Sequence, residues 1–314
     1  MERRQRKAIS DWVSKGRVLF GEPLTRHTTF GIGGRAEVFH EPGDREELVR
    51  ILKFASQETI PVTIIGSGSN CLVSDMGVPG IVISLAGRLN SFHIEGGSVT
   101  AGAGVVLGHM VHRCLQAGLT GVESLVGVPG TVGGALVMNA GAFGGEISTH
   151  LVQVRTLTLD GKEQIYRRDS LQFGYRSSSF HTDEIILEAE FHFEAGSPET
   201  IADLQKRFLS ERKARQPLNQ QSAGSVFKNP APDVAAGMLI DKAGLKGTRR
   251  GDAEISTRHG NFFINSGNAT AEDIAFLIKL AARAVKQQFG TQLELEIKTL
   301  GFEPGYWEDA RLDR

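Results

Sequence analysis

Apolar residues recur with a helical period in several segments of the chain. In the first of these, residues 45–57, one helix face carries Leu48, Ile51, Leu52 and Ala55. The same period predicts helices over residues 106–118, 199–216, 234–244 and 270–290. Thr270 and Asp273 have the spacing of a capping box, so the last helix is predicted to begin there.

Other segments are predicted to be strands because they alternate between apolar and polar residues or are continuously apolar. These segments are residues 60–66, 80–85, 154–167, 184–194, 260–265 and 292–301. Within residues 154–167, Asp160-Gly161 is a type I′ turn signal, which predicts a hairpin. Residues 173–180 are predicted to be a loop. Residues 196–200 are predicted to be a linker, so a domain boundary is expected near residue 200.

Length and charge narrow the class of protein. A chain of 314 residues predicts two domains, with three as the alternative, and a net charge of −1 gives no reason to expect binding to nucleic acid or to an anionic membrane. No apolar run approaches the roughly 20 residues that span a bilayer. Residues 1–20 are basic and lack an apolar signal core, so we expect a solvated leader.

Cysteine and histidine do not form a metal or disulfide pattern. Cys71 and Cys114 cannot build a disulfide framework or a zinc site, which favours a reducing, cytoplasmic setting. His109 and His112 have helical spacing but no third ligand nearby, so surface exposure or helix packing is expected and no metal is predicted.

Glycine is enriched and clusters in the first half of the chain. The 38 glycines are about 12% of the residues, against a usual value of about 7%. Residues 66–70 follow a predicted strand, and residues 127–134 form a second glycine-rich turn. Neither matches the dinucleotide fingerprint or the P-loop. Two such turns with little charge nearby predict a pyrophosphate held by backbone amides, on a ligand with a flat apolar ring.

The stretch QSAGSVFKNP, residues 221–230, places one hydroxyl in a crowded setting. Ser225 lies between Gly224 and an apolar pair, with a cation and an amide just beyond. Serine is common in loops, so this pattern alone favours an ordinary loop.

Six segments occur in an order that is typical of one family. They are HTTFGIGGRAE, IGSGSNCLVSD, GVPGTVGGALVMNAGAFGGE, FGYRSSSF, AGSVFKNP and LELEIKTLG. Together they resemble the UDP-N-acetylenolpyruvoylglucosamine reductase family. The resemblance implies an α+β fold: an FAD-binding region of the vanillyl-alcohol-oxidase (PCMH) type at residues 21–199, with subdomains at about 21–88 and 89–199. A substrate domain is expected at residues 200–304, and residues 305–314 are expected to be a tail.

The resemblance also implies a reaction in peptidoglycan precursor synthesis. UDP-N-acetylglucosamine enolpyruvate would be reduced to UDP-N-acetylmuramate, with non-covalent FAD as cofactor and NADPH as electron donor. The residues that it places at the cofactor are Gly31, Gly33, Gly34, Gly66, Ser67, Gly68, Ser69, Asn70, Pro129, Gly130, Gly133, Gly134, Ala135, Asn139, Ala140 and Gly141.

Three residues match the catalytic positions of the family: Arg176, Ser225 and Glu296. An alcohol is a weak acid, but the carbanion-like centre that follows hydride addition is a strong base, so Ser225 could protonate it. Arg176 could pair with the substrate carboxylate as it gains charge, and Glu296 could hold the proton of an enediolate oxygen. The register leaves Glu294 as an alternative to Glu296.

The expected substrate contacts are Tyr175, Arg215, Lys228, Asn229 and His259, with Lys213 as an alternative to Arg215. The segment after Arg176 has no room for the tyrosine-bearing loop of some members, so the chain resembles the shorter subtype. A monomer is expected. Two other functions remain open at this stage: a flavin-dependent oxidase of a sugar or alcohol, and a non-catalytic UDP-sugar or flavin-binding regulator.

Overall fold

A computed structural model describes residues 1–310 and 312. The chain forms two compact units. Unit 1 contains Met1–Phe20, Glu37–Ser67 and Gly80–Glu211, and unit 2 contains Gly21–Ala36, Gly68–Pro79 and the chain from Arg212 onward. Each unit is therefore built from separate stretches of sequence.

In the described residues the α-helices are α1 (Arg3–Trp12), α2 (Arg45–Gln57), α3 (Leu107–Gln116), α4 (Val132–Val137), α5 (Pro198–Arg215), α6 (Ala236–Lys242) and α7 (Ala271–Phe289). The helices predicted over residues 45–57, 106–118, 199–216, 234–244 and 270–290 are confirmed, with ends that differ by a few residues. None of the helices in the described part of the chain has both the length and the apolar character needed to span a bilayer.

The strands of the first half are β1 (Arg17–Pro23), β2 (Arg35–Glu41), β3 (Val62–Ile65), β4 (Cys71–Val73), β5 (Val78–Ser84), β6 (Phe92–Glu95), β7 (Ser98–Gly102), β8 (Leu119–Thr120), β9 (Gly141–Ala142) and β10 (Gly145–Glu146). Those of the second half are β11 (Leu151–Thr158), β12 (Glu163–Arg167), β13 (Phe173–Gly174), β14 (Ser177–Ser178), β15 (Glu184–His192), β16 (Glu194–Ala195), β17 (Arg249–Arg250), β18 (Ala253–Ile255), β19 (Phe263–Asn265) and β20 (Lys298–Leu300).

Two larger sheets organise the first two thirds of the chain. One has the order β1-β2-β5-β3, with β3 and β5 parallel. The other, in unit 1, is antiparallel with the order β12-β11-β15-β7-β6. Helices α2, α3 and α4 contribute Leu48, Met110 and Leu136 to the same buried cluster as Val99 and Val154 of this sheet.

Unit 2 has its own core around α7. Ile274, Leu277 and Ile278 of this helix are fully buried with Phe263 of β19. Sheet β17-β18-β19 is antiparallel, while β4 and β20 pair in parallel. The predicted capping box is present: the Thr270 hydroxyl accepts from the Asp273 N–H, and the Asp273 carboxylate accepts from the Thr270 N–H.

The structure differs from the sequence-based expectation at both ends of the chain. Residues 3–12 are not a solvated leader but form α1, whose Ile9 is fully buried in the core of unit 1 and whose Trp12 packs edge-on against Phe54. In the expected tail, Trp307 and Leu312 are buried in the core of unit 2. Apolar residues within both segments explain the difference, because they bury surface that a solvated segment would expose.

Three local predictions also need correction. The β11–β12 turn is not type I′, since that turn needs a positive φ at both Asp160 and Gly161 and only Gly161 has one, 85°. The Thr158 N–H donates to the Lys162 carbonyl across the turn. Residues 173–180 contain the short β13–β14 hairpin rather than only a loop. Of residues 292–301, only Lys298–Leu300 pairs as a regular strand.

Candidate active site

Gly66, the part of the first glycine-rich turn that lies in unit 1, contacts the second glycine-rich turn. A Cβ atom on Gly66 would lie 2.5 Å from the Thr131 hydroxyl oxygen, which leaves no room for a side chain. Thr131 caps α4 by accepting from the Gly134 N–H at 3.3 Å. Gly133 lies against Ala103, whereas Gly134 is exposed and a Cβ there would make only an ordinary contact, 3.5 Å from the Thr131 hydroxyl oxygen. The turn therefore combines glycines required for packing with one that presents its backbone to the surroundings.

The cofactor residues expected in unit 2 form a second set of close approaches. Gly68 has a φ of 61°, and a Cβ there would lie 2.0 Å from the His27 carbonyl oxygen. A Cβ on Gly34 would lie 2.3 Å from the Asp75 carbonyl oxygen. The Asn70 side-chain amide donates to the Glu296 backbone carbonyl at 3.1 Å, and the backbone carbonyl of Asn70 accepts from the Lys298 N–H. Asn70 thus connects a cofactor loop to the segment of the expected catalytic glutamate.

Asn139 has features of a residue that faces a ligand. It is fully buried in the left-handed region, with a φ of 42°. Its Nδ2 donates to the Glu146 carboxylate at 2.8 Å and to the Gly174 carbonyl at 3.1 Å, while its Oδ1 has no hydrogen-bond partner in the described part of the chain. Buried amide oxygens are normally paired. A ligand with an N–H donor would satisfy this oxygen, so the residues fit the flavin of FAD.

Arg176 lies at the tip of the β13–β14 hairpin, in the two-residue turn after Gly174. Its φ of 54° is unusual for a residue other than glycine, which is typical of functional positions. Its guanidinium donates to the Gly141 carbonyl at 3.0 Å and lies over the ring of Tyr175, which is half exposed. The bonds from Asn139 to Gly174 and from Arg176 to Gly141 bring the expected catalytic arginine and the expected flavin stretch together.

Ser225 lies in an extended segment of unit 2 that is held on both sides. Ser225 forms an isolated bridge with Phe262, and the Val226 carbonyl accepts from the Glu296 N–H at 2.8 Å. Phe227 is fully buried, edge-on to Phe263. Ser225 itself is half-buried. The residues that look like a loop in the sequence therefore form a strand-like segment in the structure. Val226, which follows Ser225, accepts a backbone hydrogen bond from Glu296.

The two alternative glutamates differ in their surroundings. Glu294 is exposed, and its carboxylate lies 3.8 Å from the Lys228 ammonium. Glu296 is half-buried, and its backbone N–H donates to the carbonyl of Val226, the residue that follows Ser225. Arg176 belongs to unit 1, whereas Ser225 and Glu296 both belong to unit 2.

The remaining expected substrate contacts fall into two groups. Asn229 accepts from the N–H of Ala236 at the start of α6, and His259 packs beside Gly237 of that helix. Burial lowers the pKa of His259, and the charge of Lys246 lowers it further. Arg215 and its alternative Lys213 are exposed in the last turn of α5.

Neither cysteine has the properties of a reactive thiol. Burial raises the pKa of Cys71 to about 11 and that of Cys114 to about 12. Thiols with such pKa values are weak nucleophiles at neutral pH. In the described residues, no group of His, Cys, Asp and Glu side chains is arranged to hold a metal ion.

Sequence reasoning missed two polar residues near the site. Asn261 is buried and bonds to both backbone groups of Phe227. Asp75 accepts from the N–H groups of Ala271 and Glu272 at the start of α7. Asn261 falls within a predicted strand, and Asp75 lies between the predicted turn at residues 66–70 and the predicted strand at residues 80–85, so neither local pattern signals these long-range bonds.

Comparisons with known proteins identify the family of the chain. The FAD binding domain model matches residues 36–165, and the model of the UDP-N-acetylenolpyruvoylglucosamine reductase C-terminal domain matches residues 216–300. A reductase of that name from Symbiobacterium thermophilum is 40% identical, covering 98% of both chains. The one from Desulforamulus reducens is 41% identical, covering 91% of this chain and 95% of the relative.

A solved structure shares the architecture. The UDP-N-acetylenolpyruvylglucosamine reductase (MurB) of Thermus caldophilus superimposes with a TM-score of 0.78 at 37% identity, covering 91% of this chain and 98% of that one. The two-part fold with an FAD-binding region is confirmed by these matches. The chain belongs to the UDP-N-acetylenolpyruvoylglucosamine reductase family.

Proposed function

We propose that this protein reduces UDP-N-acetylglucosamine enolpyruvate to UDP-N-acetylmuramate, a step of peptidoglycan precursor synthesis, with NADPH as the electron donor. The observation that carries the proposal is family membership over nearly the whole chain, with Arg176, Ser225 and Glu296 all present. We further propose that residues 21–199 hold the cofactor and residues 200–304 the substrate, and that the protein acts as a cytoplasmic monomer.

Bound FAD would supply the hydride-transfer chemistry between NADPH and the vinyl carbon of the substrate. Gly66, Asn139 and the exposed backbone of Gly134 would hold it, because close backbone approach and an unsatisfied amide oxygen are present there. The weakly acidic thiols, of which Cys114 is buried and Cys71 half-buried, favour a non-covalent association.

Ser225 supplies the proton that completes the reduction. Hydride addition leaves negative charge on the adjacent carbon, which is shared with the carboxylate as an enediolate. Protonation of that carbon by the Ser225 hydroxyl gives the lactyl ether, and solvent then returns a proton to the serine. A half-buried serine, followed by a segment that is hydrogen-bonded on both sides, suits this task, because general acids must be aimed at the atom that they protonate.

Arg176 and Glu296 manage the charge on the substrate carboxylate. The Arg176 guanidinium can pair with both carboxylate oxygens as charge accumulates there. Glu296, which is less exposed than Glu294, accepts a hydrogen bond from a protonated enediolate oxygen. Tyr175, Lys228, Asn229, His259 and Arg215 are proposed to contact the sugar nucleotide.

An anaerobic titration tests this function. The purified holoprotein is reduced with NADPH, and UDP-N-acetylglucosamine enolpyruvate is then added while the flavin absorbance is recorded. We expect the absorbance to bleach and then return on adding the sugar nucleotide. A protein that stays bleached until air enters would instead be an oxidase, and a protein that does not bind FAD would be neither.

The same experiment separates the role of Ser225. In Ser225→Ala, bleaching by NADPH should be unchanged, while recovery on adding substrate slows by about 10²–10⁴-fold, the range for general acids. Equal slowing of both half-reactions would contradict the assignment of Ser225 as the proton donor.

A further inference from the structure

We propose that Asn261 is a positioning residue for Ser225, fixing the backbone that follows the serine so that its hydroxyl keeps one direction. The proposal rests on the proposed function, since it concerns the residue assigned there as proton donor. No sequence pattern marks Asn261, which lies in the turn between β18 and β19.

The contact is a two-point pairing between a side-chain amide and a backbone peptide. The Phe227 N–H donates to Asn261 Oδ1 at 2.9 Å, and Asn261 Nδ2 donates to the Phe227 carbonyl at 2.7 Å. The Asn261 carbonyl also accepts from the Val226 N–H at 2.9 Å. Only 2% of Asn261 is exposed, so water cannot readily replace these bonds.

The opposite edge of the same segment is occupied as well. The Val226 carbonyl accepts from the Glu296 N–H at 2.8 Å, and the Lys228 N–H donates to the Glu294 carbonyl at 2.8 Å. Ser225 and Phe227 are paired only through isolated bridges, not through a regular strand. The Asn261 side chain therefore makes the two hydrogen bonds to Phe227 that a neighbouring strand would otherwise make. The segment after Ser225 is held from both sides.

The orientation of Asn261 is itself fixed by the turn that carries it. Its backbone N–H donates to Nδ1 of His259 at 3.2 Å. Because burial lowers the pKa of His259, the imidazole is neutral at pH 7 and Nδ1 can accept this bond. The amide donates and accepts at once, so neither leucine nor an ionised aspartate of similar size reproduces both bonds.

Rate measurements on the two half-reactions test the proposal in the FAD-loaded full chain. Asn261→Ala should leave reduction by NADPH within about twofold of the parent and slow reoxidation by substrate by on the order of 10–10²-fold, because small displacements of a reacting group cost that much. Thr270→Ala is the matched control. It removes a capping bond at the start of α7 in the same unit, not a bond to the segment after Ser225, and should leave both rates unchanged.

A double-mutant comparison distinguishes this proposal from the function on which it rests. If Asn261 acts through Ser225, Ser225→Ala/Asn261→Ala reoxidises no more slowly than Ser225→Ala alone. Multiplicative losses would overturn the positioning role while leaving Ser225 as proton donor. If Ser225→Ala alone has no effect on reoxidation, the proton-donor assignment fails, whatever Asn261→Ala does.

Asn261→Asp adds a readout that a purely structural role would not give. A buried carboxylic acid can accept from the Phe227 N–H and donate to its carbonyl, whereas the carboxylate can only accept. Burial raises the pKa of such a group. Reoxidation of Asn261→Asp should therefore approach the parent rate at low pH and fall as pH rises, while Thr270→Ala follows the parent profile. A pH-independent defect would contradict the proposal.

Discussion

Gly66 lies directly against Thr131, so that the Cβ atom of any other residue at position 66 would come within 2.5 Å of the threonine hydroxyl oxygen. Thr131 in turn caps α4, the helix that carries the second glycine-rich turn. The two turns that are expected at the cofactor therefore depend on each other for their shape.

Gly66→Ala should weaken FAD binding because the added methyl group displaces Thr131 and with it the start of α4. We expect a loss of at least about tenfold in affinity, which corresponds to about 1.4 kcal/mol. Flavin fluorescence titration of the apoprotein measures it. Gly108→Ala is the control, since nothing lies within 4 Å of a Cβ there and affinity should not change. Equal affinities in both variants would contradict the packing argument.

Arg176 has a left-handed backbone conformation, so replacing it with glycine or with alanine should give equal loss of activity but different stabilities. Both Arg176→Gly and Arg176→Ala remove the guanidinium and its bond to the Gly141 carbonyl, and both should slow substrate-driven flavin reoxidation. Glycine accepts a φ of 54° without strain, so the glycine variant should be more stable than the alanine variant by roughly 0.5–1 kcal/mol. Urea unfolding of the two proteins measures the difference, and a more stable alanine variant would contradict it.

Asp75 should contribute to the stability of unit 2, because its two carboxylate oxygens accept from the Ala271 and Glu272 N–H groups at 2.9 and 3.1 Å. Asp75→Ala leaves these helix-start donors without the carboxylate and is expected to cost about 1–3 kcal/mol. The fluorescence of Trp307, buried in the same unit, reports unfolding in a Trp12→Phe background. An unfolding midpoint equal to that of the background protein would show that the cap contributes nothing.

The stability of unit 1 should fall as pH drops below about 6.5. Burial lowers the pKa of His40 from 6.5, although a hydrogen bond to the Arg17 carbonyl and the charge of Glu47 oppose this. The unfolded chain therefore takes up a proton near pH 6.5 that the folded chain does not. Between that pH and the lower folded pKa, stability falls by up to about 1.4 kcal/mol per pH unit.

A second group extends this acid sensitivity. Burial raises the pKa of Glu47, but backbone N–H groups of Lys15, Gly43, Gly16 and Ser14 outweigh it, so that the pKa is lowered from 4.5. Its stabilisation is present above pH 4.5 and is lost as pH falls through the folded value. Urea unfolding followed by Trp12 fluorescence in a Trp307→Phe background measures both effects. His40→Gln should flatten the slope between pH 6.5 and 5, and unchanged slopes would contradict the role of His40.

Local patterns predicted the structure well where the stabilising contacts are themselves local. The capping box of Thr270 and Asp273 involves neighbours along the chain, and it is present at the start of α7. The β11–β12 hairpin is confirmed, but the predicted type I′ turn is wrong. Its geometry depends on the Thr158 hydroxyl, which accepts from the Lys162 N–H and is not part of the Asp-Gly signal.

The sequence could not predict contacts between residues that are far apart along the chain. The bond from Asn139 to Gly174 spans 35 residues, and that from Asn261 to Phe227 spans 34. Neither residue stands out from its neighbours by period or charge. Residues 292–301 alternate as a strand does, yet only Lys298–Leu300 finds a regular partner, in β4. The roles assigned to Arg176, Ser225 and Glu296 came from the family resemblance and stay predictions.

The division of unit 2 among three stretches of sequence constrains the order in which the protein can fold during synthesis. Phe30, Ile32 and Leu72 leave the ribosome early, but they are buried with side chains that follow residue 212. Until the residues after 212 are translated, the nascent chain exposes apolar side chains that are buried in the folded protein, which favours aggregation or chaperone binding. A messenger RNA truncated near codon 211 would therefore encode all of unit 1 together with Gly21–Ala36 and Gly68–Pro79, whose apolar side chains would be exposed. Quality-control proteases should remove such a product.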